Sequence, residues 1–295
     1  MSAATETPIP VQMSLEGQTP DGTSFQRYGA GDGNGDGAGD ASSLILIHGL
    51  GLSRHTWDQY IAGLAQHYDV ITYDLFGHGN SAMPPRKPDL TLFSEQVISL
   101  MDHLGIADAV MIGFSLGGMI NRRIALDHQD RVKGLVILNS PHERGDDEQK
   151  KVEARAIMTR DEGIQSTIET TLARWFTPGF IKSNPDAVDQ VRQGVLANDL
   201  EAYAACRFVL ANGVVELIRP KTPITAPTLV ITAEHDSGST PEMSHAIAGE
   251  IEGAETIIIP ALQHMGLVEQ PELFLSPINR FLENLHQHEI RGRDD

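Results

Sequence analysis

A chain of 295 residues that is 40% hydrophobic can bury one large core, and its formal charge of −18 argues against nucleic acid or an anionic membrane surface as a partner. Cys206 is the only cysteine, which excludes an intramolecular disulfide and a cysteine-built metal cage and suits a reducing compartment. The start, Met1 to Pro8, carries neither a basic nor an apolar signal segment, and no apolar run nears the roughly 20 residues of a spanning helix; the expected setting is cytoplasmic, with no membrane.

In chain order, weak alternation through Val11–Leu15 and again at Phe25–Tyr28 predicts two strands joined by a turn at Asp21-Gly22. The stretch from Gly29 to Asp40, almost all glycine and aspartate, is a single short copy that cannot stack on repeats, so it reads as a flexible surface loop. Beyond it, short apolar runs at Leu44–Ile47, Val70–Tyr73, Ala109–Ile112, Gly134–Leu138, Thr228–Thr232 and Thr256–Ile259 read as strands buried on both faces of a parallel sheet. Helical spacing fills most of the gaps, as in Leu92–His103. Strand and helix therefore alternate, which predicts an α/β chain with a mostly parallel, doubly wound sheet.

The alternation breaks between residues 143 and 219. There only amphipathic segments appear (Gln149–Thr159, Ile164–Trp175, Asp186–Leu196, Glu201–Leu210), with Pro178-Gly179, Pro185 and Pro220 as boundaries. The expected organisation is a core of residues 1–142 and 220–295, with 143–219 a helical cap over the sheet's carboxyl edge, where open α/β sheets bind ligands.

The most informative stretch is Ala109-Val-Met-Ile-Gly-Phe-Ser115-Leu-Gly-Gly. An apolar strand runs into Gly113-x-Ser115-x-Gly117 and then into a helix, the context of a nucleophile elbow. The tight turn needs small residues two before and two after the serine, which Gly113 and Gly117 supply. A bare helix-capping serine would explain Ser115 but not the glycines. Acyl transfer also needs two preorganised N–H donors for a developing oxyanion. The residue after the nucleophile, Leu116, offers one, and the loop His48-Gly49-Leu50-Gly51 after the first core strand offers the other at Leu50, with Gly51 the neighbouring option. His48 reads as a brace for that loop.

Downstream, Asp236 lies just past the run Thr228–Thr232, where its carboxylate can accept from an imidazole, with Glu234 as local competitor. His264 follows the next strand. Ser115, Asp236 and His264 thus occur in the chain order that a serine, acid and base take in this architecture, at successive strand ends. No His-Glu-x-x-His pattern accompanies them, so no metal is expected. No Gly-x-Gly-x-x-Gly or P-loop follows a strand, so no nucleotide cofactor is expected either.

Together His48-Gly49, Asp74-Leu-Phe-Gly-His-Gly-Asn-Ser81, Gly113–Gly118, Asp236 and His264 resemble the α/β-hydrolase superfamily over Val11 to Leu285. The resemblance implies an α/β-hydrolase fold with an inserted helical cap, and a structural role for Asp74–Ser81. The segment Ala173-Arg-Trp-Phe-Thr-Pro-Gly-Phe180, Ala202–Cys206 and the ending His264–Pro271 are similar to 3-oxoadipate enol-lactonases and their esterase relatives. That similarity implies a serine hydrolase that cleaves a small-molecule ester or lactone through an acyl-enzyme on Ser115, cofactor-free, with a homodimer left open. A C–C bond hydrolase with the same three residues and a non-catalytic receptor are the alternatives, whereas hydrolases with an aspartate nucleophile are disfavoured by Ser115. Phe114, Trp175, Phe176 and Phe180 are candidate pocket walls. Arg122-Arg123 reads as a solvated or sheet-edge pair.

Overall fold

The computed structural model describes residues 13–29 and 42–293. Eight strands form one sheet: β1 (Met13–Gln18), β2 (Ser24–Tyr28), β3 (Ser43–Ile47), β4 (Asp69–Tyr73), β5 (Ala109–Phe114), β6 (Val132–Leu138), β7 (Thr228–Ala233) and β8 (Glu255–Ile259). Their order across the sheet is β1-β2-β4-β3-β5-β6-β7-β8. The pairings β1·β2 and β2·β4 are antiparallel and all others parallel. The central runs are strands that bury both faces: Leu44 to Ile47 and all of β5 are buried. Thr256–Ile259 departs from that expectation, because β8 is the sheet's edge and its Thr256 to Ile258 are only half-buried. The turn between β1 and β2 follows from Gly22, whose φ of +89° suits glycine, and from the Asp21 carboxylate, which accepts from the Thr23 N–H. Of the first predicted strand, Val11 and Gln12 lie outside the described residues, as do residues 30–41 of the Gly/Asp stretch and the chain start.

From β3 the chain runs to β4 on one side and then crosses to β5 on the other, so the direction of winding reverses between β3 and β5. Ile47 of β3 pairs with Gly113 of β5, which sets the loops after these two strands side by side at the crevice where doubly wound sheets bind ligands.

Helices α1 (Asp58–Leu64), α2 (Leu90–Leu104) and α3 (Leu116–Asp127) fill the first half of the core. The ends of α2 are chemically defined: the Asp89 carboxylate accepts from the Leu92 N–H, and Gly105 at φ +68° stops the helix. Between β6 and β7 the chain inserts α4 (Asp146–Glu162), α5 (Ile168–Trp175), α6 (Pro178–Ser183), α7 (Pro185–Leu196) and α8 (Leu200–Asn212), with α4 packed along α8. The last three helices are α9 (Pro241–Gly249), α10 (Gly266–Glu269) and α11 (Pro271–Arg293). Among the described residues no helix is long and apolar enough to cross a membrane.

One detail of the insertion differs from the sequence expectation. The run Ile164–Trp175 is not one helix: Ile164–Ser166 forms a 3₁₀ turn, Thr167 breaks the spacing, and α5 starts at Ile168. Pro178-Gly179 marks a helix boundary as expected, by opening α6 after α5 has ended at Trp175. Proline's fixed φ suits the first helical position, and the Thr177 hydroxyl accepts from the Phe180 N–H as its cap.

Candidate active site

Ser115 sits between β5 and α3 with φ +55° and ψ −110°, outside the regions that L-residues favour. The turn is that tight because β5 and α3 nearly touch. A methyl group on Gly113 would lie 2.2 Å from the Gly117 carbonyl oxygen, and one on Gly117 would lie 2.2 Å from that of Ile47. Both obstacles are backbone and cannot step aside, which explains the two glycines physically. Ser115 is held there by its own N–H, which donates to Leu138 O, and by the Ser140 hydroxyl, which donates to Ser115 O.

The loops after β7 and β8 bring the other two expected residues to it. The His264 Nε2 lies 3.2 Å from Ser115 Oγ, and its Nδ1 lies 2.6 Å from Asp236 Oδ2. Burial alone would raise the Asp236 carboxyl. The His264 ring, the Asn139 amide and the Gly238 N–H outweigh it and hold the group below the ordinary aspartate range. An ionised carboxylate only accepts, so the hydrogen between them belongs to Nδ1, and Nε2 faces the serine with a free lone pair.

Asp236 is satisfied on every side. Oδ2 also accepts from Asn139 Nδ2 at 2.9 Å, and Oδ1 accepts from the N–H groups of Gly238 and Ser239. Glu234, the local competitor, is exposed and accepts from the Ala261 N–H, fixing the loop after β8. Sequence reasoning missed Asn139. Its φ of +45° just past β6, where Asn is tolerated, aims its amide at the acid.

At the loop after β3, the Gly51 N–H is already committed: it donates to His78 Nε2 at 3.0 Å. Among the described residues the N–H groups of Leu50 and Leu116 have no protein acceptor, and both residues adjoin Ser115 in chain or space. Two histidines fix this loop. His48 Nε2 accepts from the Leu75 N–H and its Nδ1–H donates to Gly49 O, while His78 Nδ1–H donates to Phe76 O. Their rings meet edge to face at 5.4 Å. Burial pushes both below the ordinary histidine range, His78 to about 3, with its neighbour His48 adding to the shift. Both are therefore neutral, each with its hydrogen on Nδ1. His78 comes from the segment Asp74–Ser81, which Asp74 ties down by accepting from Arg54 and from the Asn80 N–H.

A family model described as the alpha/beta hydrolase fold matches residues 43–271. The chain belongs to the α/β-hydrolase family. It is 32% identical over 236 residues to 3-oxoadipate enol-lactonase 2 of Acinetobacter baylyi, covering 80% of this chain and 86% of that protein. Among solved structures, the enol-lactonase from Burkholderia xenovorans LB400 superimposes with a TM-score of 0.81 at 27% identity, over 91% of this chain and all of that one, 100%. A thermophilic esterase from Thermogutta terrifontis gives a TM-score of 0.77 at 25% identity, covering 92% and 98%.

Within this α/β-hydrolase framework a cavity of about 80 Å³ opens beside Ser115, lined by Leu50, Phe114, Asp236 and His264 from the core and by Trp175 from the insertion. The Phe114 and Trp175 rings lie 4.9 and 5.9 Å from the His264 ring. Phe176 and Phe180 do not line it, contrary to expectation: they stack on each other at 5.4 Å because α5 ends at Trp175 and turns the next residues into the insertion's own core. Arg122 departs from its reading too. It is buried, and donates to Gly118 O, Ser140 Oγ and Pro141 O, bracing the elbow from behind, while Arg123 pairs with Asp127 and Glu216 at the surface. Four arginines that sequence reasoning missed, Arg144, Arg155, Arg174 and Arg207, also line it. Among the described residues no three His, Cys, Asp or Glu side chains gather as a metal cage.

Proposed function

We propose that the chain is a serine hydrolase that cleaves an ester or lactone of a small molecule through an acyl-enzyme on Ser115. The observation that carries this reading is the continuous line Ser115 Oγ, His264 Nε2, His264 Nδ1, Asp236 Oδ2, with contacts of 3.2 and 2.6 Å and one unambiguous tautomer. His264 takes the serine proton as Oγ attacks the carbonyl carbon, and Asp236 stabilises the imidazolium that forms. The free N–H groups of Leu50 and Leu116 hold the oxyanion. His264 then returns the proton to the departing alcohol oxygen and activates the water that frees the acid. Relatives whose names specify enol-lactonase and esterase activity support the ester or lactone class. Residues 143–219 serve as a cap over the core of 1–142 and 220–295, since the cavity takes its far wall from them.

The test is a panel of p-nitrophenyl esters and lactones together with a fluorophosphonate probe. Turnover with the probe mapped to the peptide containing Ser115 supports the reading; turnover that survives stoichiometric labelling of Ser115, or labelling elsewhere, overturns it.

Asn139 is a positioning residue in this scheme, since it touches the acid and not the substrate. A hydrogen bond to a charged group is worth roughly 1.5–3 kcal/mol. Asn139→Ala is therefore expected to lower kcat about tenfold or more and to move the acidic limb of the pH–rate profile upward, because Asp236 loses a donor that favours its charged form. A reduced kcat with an unmoved acidic limb would assign Asn139 to packing alone.

A further inference from the structure

The cavity beside Ser115 holds about 80 Å³, well below the roughly 300–1,000 Å³ that small-molecule sites ordinarily offer. A substrate whose carbonyl reaches Ser115 therefore extends into a neighbouring space, and two such spaces adjoin the cavity. One is a recess of about 310 Å³ between α4 and α9, reached past Val152 and Gly238 and walled by charge, with Glu148 of α4 and Glu242 of α9 among its lining. The other is a groove of about 600 Å³ between α7 and the loop after β3, where Val191, Met265 and Val268 supply apolar wall. Among the described residues Leu52 is the only one that lines both the groove and the reaction cavity.

The backbone holds Leu52 where a partition has to stand. Its N–H donates to Gly49 O at 3.2 Å and closes a turn in which Gly51 takes φ +76°. A Cβ on Gly51 would lie 2.7 Å from the Tyr203 ring, so the turn is pressed against α8. The Gly51 backbone is pinned twice more: its N–H donates to His78 Nε2, and its carbonyl accepts from Asn198 Nδ2, each at 3.0 Å. The turn that carries the Leu50 N–H is thus fixed by bonds in which the Leu52 side chain takes no part. That side chain is half-buried and packs on the core. Met265 follows His264 directly, so the groove begins beside the base loop as well as beside Leu50.

Building on the serine-hydrolase reading, we propose that Leu52 sets the length of substrate that the site accepts, because its side chain closes the reaction cavity off from the groove. An alkyl chain gains nothing in the charged recess, where it would strip water from carboxylates. With Leu52 trimmed, the chain passes beside Met265 into the groove. Two methylenes moved out of water there are worth roughly tenfold in binding.

Two measurements test this. The first is the ratio of kcat/KM on a long ester to that on a short one, in an acyl series (p-nitrophenyl decanoate against butyrate) and in an alcohol series (octyl against ethyl acetate). Leu52→Ala is expected to raise that ratio at least tenfold in one series. Leu52→Val, a smaller cut, should move it the same way by a smaller factor, and decides the matter if Leu52→Ala does not fold. Gly194 of α7 lines the groove, and a Cβ there would meet nothing within 4 Å. Gly194→Met fills the groove with a better helix former, so adding it to Leu52→Ala should restore the wild-type ratio. A ratio unchanged in both series, or one that rises and is not reversed by Gly194→Met, overturns the proposal and leaves the serine reading intact. The second is calorimetric binding of butanamide and octanamide in the Ser115→Ala background, where turnover plays no part. A gain for octanamide over butanamide of at least tenfold on adding Leu52→Ala supports the partition whatever the nucleophile proves to be. Equal gains for the two amides overturn it.

Discussion

Replacing Ser115 with alanine is expected to lower kcat by about ten-thousandfold or more, and His264→Ala by a comparable factor, with the double variant no worse than either single one. The non-additivity is the informative part: if Oγ and Nε2 act as one unit through their 3.2 Å contact, removing the second after the first costs nothing further. Asp236→Asn sharpens the same expectation. The N–H groups of Gly238 and Ser239 both donate to Oδ1, so the asparagine oxygen must stay on that side and its NH₂ must take the place of Oδ2. There it meets the Nδ1–H of His264. Two donors cannot share one bond, and the imidazole relieves the conflict by moving its hydrogen to Nε2, where it can no longer take the serine proton. The variant should stay folded and lose activity on the scale of Ser115→Ala. Steady-state rates and a thermal melt decide the matter, and additive losses in the double variant would sink the single-unit picture.

The second large effect is on stability. His78 is fully buried and neutral, with its pKa pushed from 6.5 down to about 3. In the unfolded chain the same side chain takes up a proton below about 6.5, whereas the folded state refuses it until about 3. Stability due to this group is thus complete above the unfolded pKa and is lost as pH falls from 6.5 toward 3, by roughly 5 kcal/mol in all from this shift alone. His48, shifted the same way, adds to the loss, and Asp236, whose folded pKa is lowered, adds more at the acid end. Urea midpoints measured from pH 8 to pH 4 should fall steeply below pH 6. In His78→Asn the slope between pH 6 and 4 should shrink by about one proton, or about 1.4 kcal/mol per pH unit. An unchanged slope in the variant would mean that His78 is accessible to protons in the folded protein.

How much of this was legible in the sequence depends on the range over which each feature is encoded. The six apolar runs became β3 to β8; for β3 to β7 that is because a strand covered on both faces needs only contiguous apolar residues, whereas β8, at the edge, is only half-buried. The elbow was legible because its pattern is compact: Gly113 and Gly117 flank Ser115 within five residues, although the backbone that dictates Gly117 is that of Ile47 in β3. Asp236 and His264 could be placed because strand order fixes where their loops arrive. What stayed hidden is set by tertiary direction. Arg155, Arg174 and Arg207 sit on three different helices of the amphipathic stretch, whose spacing does not say which face meets the core, and only the packing of α4 along α8 and the turn at the end of α5 bring them into one cavity. The same turn removes Phe176 and Phe180 from it. Asn139 lacked a signal because its partner, Asp236, lies 97 residues away. His78 was legible only as part of Asp74–Ser81 and its supporting role; that it accepts from the Gly51 N–H, 27 residues away, was not.

One short connection ties these parts together. The Met265 N–H donates to Trp175 O at 2.8 Å, and the Thr177 N–H and hydroxyl both donate to the Glu269 carboxylate at 2.7 Å. Arg174 is thus one residue from the carbonyl that anchors the residue after His264. These bonds join the end of α5 to the loop that aims the imidazole, so the insertion cannot shift at Trp175 without pulling on the residue after His264. On the proposed serine-hydrolase reading, Glu269→Gln is expected to lower kcat more than it raises KM, because it loosens alignment and touches no substrate; steady-state rates on one ester decide it.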